Sequence, residues 1–403
     1  MASKNDGDHI FEDLTIEILS RLPLKSVLRF KCVSKYWYSL IRSCTFINKH
    51  LQRHGNNARL LVKHYNYNTA AYAFALFPDE TLAGFPLVYY DVDNVQLPHE
   101  PRIFGYCDGI LCLWDLDRMA LWNPATREFT FIPMPQPNVP DNFCTWPNFG
   151  FGLDPTTNDY KLVWIRRYFD YEKDYQYASA IISVYYLSTN SWRLFEVDLS
   201  WVHYVHLSSC STCLNGRYHW LTSDRDRTDT QDFCYDAIIY FDFSNEVFGE
   251  IPGPQDIPVS KLGNLIIYND SISMTCFYPH DPEIYVDLWV MKKEGCWTKD
   301  LTIGPLVDVE RALGFWKNGE LFVETRSNSE LVLYNPNTKE IKNLEHRGRY
   351  LDLELFMYKE SLVSFKGENE CPKGHNVSST ARVQDFFTSD PTLVIWGDQI
   401  AQN

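Results

Sequence analysis

Leu121-Trp122-Asn123-Pro124-Ala125-Thr126-Arg127-Glu128-Phe129 and Leu333-Tyr334-Asn335-Pro336-Asn337-Thr338-Lys339-Glu340-Ile341 are two copies of one phrase. In each, an apolar strand stops at Asn-Pro, turns over a Thr and restarts with a charged residue followed by an apolar one. Proline presets φ for a turn, and asparagine can bond the backbone beyond it, so the phrase predicts a strand–turn–strand unit. Weaker copies stand at Val184-Tyr185-Tyr186-Leu187-Ser188-Thr189-Asn190-Ser191-Trp192, at Tyr240-Phe241-Asp242-Phe243-Ser244-Asn245-Glu246-Val247, and from Leu288-Trp289-Val290 to Cys296-Trp297. A tight turn feeding a strand often precedes them, as in Asp108-Gly109-Ile110-Leu111, Asn215-Gly216-Arg217-Tyr218 and Asn318-Gly319-Glu320-Leu321.

Units that recur roughly 45–60 residues apart have the period of propeller blades. Beyond residue 59 the composition is aromatic and β-branched with regular turn residues, an all-β signal. Segments 59–92 and 353–365 are also strand-rich. Pairing them would close a ring of about six blades and remove its exposed edges. The expected body is therefore a β-propeller-like domain over residues 57–366, followed by a polar, flexible tail over 367–403. A β-sandwich with long insertions is the alternative.

Ahead of the body, apolar residues recur at helical spacing: Leu14, Ile18 and Leu22, then Val27, Leu28 and Val33, then Trp37, Leu40 and Ile41. Pro23 is expected to end the first helix, with Ser26 and Ser34 opening the next two. The fold class is thus mainly β with a small N-terminal α domain. Three or four helices are expected over residues 9–53, behind a flexible stretch at 1–8.

Glu12-Asp13-Leu14, Ile18-Leu19-Ser20-Arg21-Leu22-Pro23, Ser26-Val27-Leu28-Arg29-Phe30 and Cys32-Val33-Ser34-Lys35-Tyr36-Trp37 resemble an F-box. That module docks substrate receptors onto the Skp-type adaptor of a cullin–RING ubiquitin ligase. The resemblance makes the apolar stripe of Ile10, Leu14, Ile18, Leu22, Pro23, Leu28, Val33 and Trp37 the expected adaptor surface. One departure stands out: the family opens with Leu-Pro, and here Ile10-Phe11 occupy that place. Proline at the first helical position presets φ without wasting a hydrogen bond, so its loss is expected to loosen the helix start.

The body resembles the F-box-associated, kelch-like region of plant F-box proteins. The phrases that carry this are Gly105-Tyr106-Cys107-Asp108-Gly109-Ile110-Leu111-Cys112, Trp122-Asn123-Pro124-Ala125-Thr126-Arg127, and Gly150-Phe151-Gly152-Leu153-Asp154 with Asp159-Tyr160-Lys161-Leu162-Val163. Trp297-Thr298-Lys299-Asp300-Leu301-Thr302-Ile303-Gly304-Pro305-Leu306 and Gly314-Phe315-Trp316-Lys317 resemble the S-locus F-box and S-locus F-box-like proteins of Rosaceae. For that group the implied ligand is the basic, cytotoxic S-RNase of the pistil, met in the pollen tube during self-incompatibility.

Charge is unevenly divided. Residues 1–53 carry nine basic and five acidic side chains, against 28 and 47 in the remainder. An acidic body argues against nucleic acid, because phosphate binding needs clustered Lys and Arg. It would suit a basic protein ligand, although acidity also serves solubility alone. No stretch approaches the apolar length of a membrane span, and the polar residues 1–8 are unlike a signal peptide. A cytoplasmic or nuclear location follows. Eleven cysteines, an odd number without a framework, suit reduced thiols.

The sharpest metal candidate is His203-x-x-His206-x-x-x-Cys210-x-x-Cys213. Ligand types and count suit tetrahedral zinc. On a strand, however, residues three apart point to opposite faces and the two histidines diverge, so no metal is expected. There is no Gly-x-Ser-x-Gly elbow and no phosphate-binding Gly-rich loop. No catalytic residue and no cofactor are expected. Aromatic, acidic loops are a better clue: residues 166–177 place Tyr168, Tyr171 and Tyr175 among Asp170, Glu172 and Asp174. Tyrosines supply contact area at low entropy cost, and the carboxylates can meet a basic ligand. The competing reading packs these aromatics under their own loop. Residues 64–72 and 137–149 are further candidate loops.

These observations predict a non-catalytic substrate receptor of an SCF-type (Skp–cullin–F-box) ligase. Its partners would be the Skp-type adaptor, through it the cullin and RING protein, and a protein substrate. Catalysis would be by proximity, holding a substrate lysine near the charged conjugating enzyme. A propeller enzyme and a ligase-independent sequestering binder are the rivals.

Overall fold

A computed structural model describes residues 5–54, 58–77, 82, 88–91, 101–115, 118–134, 143–170, 176–195, 211–222, 237–254, 257, 261–280, 283–316, 319–349 and 352–365. Four helices come first: α1 (Asn5–Leu19), α2 (Leu24–Phe30), α3 (Lys35–Arg42) and α4 (Cys44–His54). Pro23 precedes α2 directly, with φ −57° and ψ 144°. The helix therefore opens at Leu24, and Ser26 lies inside it rather than at its start. Ser34 does cap α3, its Oγ accepting from the Trp37 amide at 3.1 Å. Ser43, which the apolar period does not mark, does the same for α4 through the Phe46 amide at 3.2 Å. α1 begins at Asn5, so Ile10 and Phe11 lie within the helix and not at its first turn. A proline at position 11 would remove a hydrogen bond from the helix interior instead of presetting its start, which corrects the expectation of a loosened end. Cys44 is disulfide-bonded, against the expectation of reduced thiols. Cys32, Cys107, Cys112, Cys213, Cys276 and Cys296 are free.

The body is six four-stranded antiparallel sheets, each a blade whose first strand faces the ring centre. Blade 1 holds β1 (Arg59–Asn66), β2 (Ala71–Leu76) and β3 (Val88–Asp91); blade 2 holds β4 (Arg102–Cys107), β5 (Ile110–Asp115), β6 (Arg118–Asn123) and β7 (Glu128–Ile132). Blade 3 is β8 (Phe143–Asp154), β9 (Asp159–Asp170), β10 (Gln176–Tyr186) and β11 (Ser191–Phe195). Blade 4 is β12 (Ser211–Leu214), β13 (Arg217–Thr222), β14 (Ala237–Asp242) and β15 (Val247–Pro252). Blade 5 is β16 (Lys261–Tyr268), β17 (Ser271–His280), β18 (Glu283–Lys293) and β19 (Cys296–Leu306). Blade 6 is β20 (Val309–Phe315), β21 (Leu321–Thr325), β22 (Glu330–Tyr334) and β23 (Ile341–Arg347). The last strand, β24 (Glu354–Tyr358), returns to blade 1 as its innermost strand and pairs with β1, Leu61 opposite Phe356. Chain ends thus close the ring, with the strand pairing expected of segments 59–92 and 353–365.

The repeated phrase is the hairpin between third and fourth strands, and in blades 2, 4 and 6 its chemistry is the same, whereas in blade 3 the Ser188 amide bonds Asp159 of the neighbouring hairpin instead. Asn123 Oδ1 accepts from the Ala125 and Thr126 amides at 3.0 and 3.4 Å. Asn335 accepts from Asn337 and Thr338 at 2.9 and 3.1 Å, and Asp242 from Ser244 and Asn245 at 2.9 and 3.0 Å. Each turn then passes through a left-handed residue: Arg127 at φ +58°, Lys339 at +62°, Glu246 at +54°. Side-chain bonds of this kind satisfy amides that a tight turn would leave open. The Trp after two of the weaker copies ties adjoining blades: Trp192 Nε1 donates to Pro133 O at 2.6 Å and Trp297 Nε1 to Pro252 O at 2.8 Å. Between blades, alternate faces of each strand bury their apolar residues, as Val163 and Ile165 do against Tyr218, Trp220 and Phe241.

Candidate functional site: the two ends of the ring

In an antiparallel blade, connections alternate between two ends of the ring. From blade 2 to blade 6 the first–second and third–fourth turns share one end, the turn end. The long connections at 92–101, 133–142, 196–210 and 223–236 leave from the other, the loop end. The helical head sits at the turn end of blades 2 and 3. Its Ile16, Leu19, Leu24, Val27, Leu40, Ile41, Phe46 and Ile47 share one apolar core with Ile110, Phe151, Tyr160, Leu362 and Val363. Asn48 Nδ2 reaches Asn158 Oδ1 at 3.5 Å.

The segment after β24 is the mortar. Asn123 Nδ2 donates to Ser361 O and Val363 O at 3.1 and 2.8 Å, and the Phe365 amide donates to Glu128 Oε2 at 3.0 Å. Within the head, Glu17 of α1 pairs with Arg21 and Arg53 and, at 2.9 Å, with Lys49 of α4. Those hydrogen bonds hold its carboxyl well below the usual carboxylate range. His50 and His54 meet the Leu22 and Ser20 carbonyls at 3.1 and 3.2 Å, closing the end of α1.

This packing sorts the expected adaptor stripe into two groups. Leu22, Leu28 and Trp37 pack inward against the shared core, Trp37 edge-on to Phe30 at 5.3 Å. They help hold the head together and stay only partly exposed. Leu14, Ile18 and Val33 remain 53%, 62% and 61% exposed, and Pro23 is exposed as well. The Ile10 side chain lies outside the described residues. Tyr36 and Tyr38, which the stripe did not include, are exposed too. Partial desolvation and the Glu12 carboxylate push the Tyr36 hydroxyl up. Helical period alone marks an apolar face; it does not say which of two partners covers it.

At the loop end, most of residues 166–177 are strand rather than loop. β9 continues to Asp170 and pairs with β10 through Gln176 opposite Asp170 and Tyr177 opposite Phe169, leaving only 171–175 as connection. Tyr168 is 5% exposed, so it is not a free contact aromatic. Two-residue alternation places it on the face turned toward blade 2 with Trp164 and Arg166. Tyr171, Glu172, Asp174 and Tyr175, and the Asp170 side chain, lie outside the described residues. Residues 64–72 are a hairpin, β1 into β2, and of 137–149 the part 143–149 belongs to β8, 137–142 lying outside the described residues; both strands reach the same end. His203, His206 and Cys210 also lie outside the described residues. Among the described residues no group of three or more His, Cys, Asp or Glu is placed to hold a metal. No described helix is long and apolar enough to cross a membrane.

Two family profiles match this chain: the F-box domain over residues 8–49 and the F-box associated beta propeller domain over residues 89–341. Among curated proteins of Arabidopsis thaliana, it is 28% identical to F-box/kelch-repeat protein At3g23880, covering 79% of this chain and 85% of that one. It is 27% identical to F-box protein At4g19940, covering 84% and 87%, and 24% identical to F-box protein CPR1, covering 95% and 98%.

Proposed function

We propose, from the premise that this chain belongs to the F-box associated beta propeller family and carries an F-box ahead of its ring, that it is the substrate receptor of an SCF-type ubiquitin ligase. The observation that carries this reading is the division of the head into two faces. One is locked onto the ring; the other leaves Leu14, Ile18 and Val33 in solvent. Large apolar side chains grouped on so small a module favour a partner. The Skp-type adaptor would take that face, and a protein substrate would meet the loop end, held at the opposite side of a rigid ring. Ubiquitin transfer would then rest on proximity, with no catalytic residue supplied by this chain.

Leu14→Asp with Ile18→Asp tests the docking face. Removing an apolar anchor from the centre of such an interface costs about 2 kcal/mol, so co-purification with the Skp-type adaptor should fall more than about ten-fold. Both positions are exposed, so the melting temperature should stay at the wild-type value. Normal docking by the folded double variant would overturn the assignment.

For the substrate, the acidity of residues 54–403 and the S-locus-like phrases at 297–306 and 314–317 support a basic ribonuclease of the S-RNase kind. Charge would steer the encounter and make association fall with salt. Association rates against a panel of S-RNases at two ionic strengths test this; no binding to any member at low salt would exclude the class.

A further inference from the structure

Arg166 is 3% exposed, yet it lacks the partner that a buried cation requires. Its Nη2 donates to Ser183 Oγ at 3.0 Å, and its guanidinium lies 4.4 Å from the centre of the Trp164 ring. Nε and Nη1 have no hydrogen-bond partner, and no carboxylate is paired with it among the described residues. Burial accordingly pulls this guanidinium down from its ordinary range. The Tyr168 hydroxyl, itself buried and pushed up by burial, also has no partner. Nor does Nε1 of Trp164, which is 8% exposed.

These groups lie together. Trp164, Arg166 and Tyr168 alternate along β9 and face blade 2, with Tyr168 nearest the loop end. An aromatic floor runs beneath them: Trp164 to Phe149 at 5.4 Å, Phe149 to Phe104 at 4.8 Å, and Phe104 to Trp114 at 5.4 Å. Trp114 Nε1 is again without a partner. Each of these groups can donate, and one is a full positive charge. Apart from Ser183 Oγ, no described group accepts from them.

An unpaired buried charge costs several kcal/mol, whereas an apolar residue of the same size would be neutral or better. A ligand carboxylate would supply the missing charge. We propose that Arg166 and Tyr168, at the loop end of the wedge between blades 2 and 3, form a carboxylate site that takes an acidic side chain of the bound protein. Only the choice of a protein as the source rests on the receptor reading; the site's chemistry does not. The aromatic floor excludes water, which strengthens a guanidinium–carboxylate bond and selects a partner that brings a short acidic side chain.

The test is thermal unfolding of the full chain in sodium acetate against sodium chloride at matched ionic strength, with N-acetyl-glutamate amide, N-acetyl-glutamine amide and phosphate as further probes. Acetate and the glutamate amide should raise the melting temperature by about 2 °C at saturation; the glutamine amide should not. Arg166→Met should abolish that response while melting no lower than the wild type in chloride. Tyr168→Phe should weaken it several-fold with the chloride baseline unchanged. Four results would overturn the proposal: no carboxylate response in the wild type, an equal response in either variant, a response to phosphate alone, or a response to acetate without the glutamate amide. Adaptor docking is a separate readout, so loss of the receptor reading would leave this result standing.

Discussion

Of the three buried cations on β9, Lys161, Arg166 and Arg167, the first two have opposite surroundings. Lys161, near the turn end, is bonded to Asp154 at 2.9 Å, Glu246 at 2.8 Å and the Phe243 carbonyl at 2.8 Å. Arg166, toward the loop end, has one serine hydroxyl and an aromatic ring. The first site is complete: its charge is neutralised and its donors are used, and it welds blade 3 to blade 4. The second is complete only with a ligand. The same contrast holds for the ring as a whole. At its turn end, Asx turns, the strap after β24 and the helical head satisfy one another. The long connections that differ in length and composition all leave from the other end. One end is taken up by assembly; the other is left to the long connections.

The largest effect should come from breaking the closure. Ending the chain after residue 352 removes β24 and the strap, exposing the β1 edge and removing Leu362 and Val363 from the shared core. Unpaired strand edges aggregate. Such a chain should lose its cooperative melting transition, whereas ending it after residue 366 should leave that transition in place. A monomer with wild-type melting after the deeper cut would show that the ring does not depend on its closing strand.

Lys161→Met sharpens the comparison directly. It strands the buried Asp154 carboxylate, while half-buried Glu246 keeps Arg193 and Tyr186, and should cost about 3 kcal/mol in denaturant unfolding, while Arg166→Met should cost almost nothing. The pH dependence gives a second readout. Burial pushes the Asp154 carboxyl up, but its bonds to Lys161, Thr157 and Thr156 outweigh this and hold it below the ordinary range. Its stabilisation is therefore fully present above the unfolded carboxylate value of about 3.9 and lost as pH falls through the lower folded value. Without Lys161 the same burial raises that carboxyl, so the variant's deficit should shrink on acidification. A deficit that is constant from about pH 7 to about pH 3 would mean Asp154 is not the group left unpaired.

The smallest effects separate two glycines of the same turn motif. Gly109 at φ +82° and Gly319 at φ +83° adopt one backbone conformation. A Cβ on Gly109 would meet the Lys359 carbonyl and, at 2.6 Å, Ser361 Cβ, whereas one on Gly319 meets nothing within 4 Å. Gly109→Ala should cost about 2–3 kcal/mol, from backbone strain plus the displaced strap, and Gly319→Ala only about 1 kcal/mol. Equal costs in urea unfolding would remove the strap from the account.

The third–fourth hairpins of blades 2, 4 and 6 were legible because their determinants are local: an Asn or Asp that bonds the amides two and three positions on, and a left-handed residue four positions on. The helical head was legible for the same reason, through Pro23, Ser34 and the apolar period. Residues 166–177 suggest a loop because tyrosines and charges are typical of a surface. In fact the strand's charged and aromatic side chains enter the seams between blades, where Arg166 and Tyr168 are buried. Likewise the outward and inward faces of the head, Leu14 and Ile18 against Leu22 and Leu28, share one apolar spacing.

The sequence by itself determined the hairpins, their repeat and the helical head, since each rests on backbone preferences and side-chain bonds within a few residues; the closing strand was legible only as a strand-rich segment, its partner β1 lying far away in the chain. Only the tertiary structure decided which apolar residues of the head stay exposed, which end of the ring carries the long connections, and that Lys161 meets carboxylates while Arg166 does not. Those outcomes depend on groups far apart in the chain. Glu246 comes to Lys161 from the next blade, and Val363 comes to Asn123 from the last described residues. Nothing in the local sequence around Arg166 indicates that no such partner arrives there.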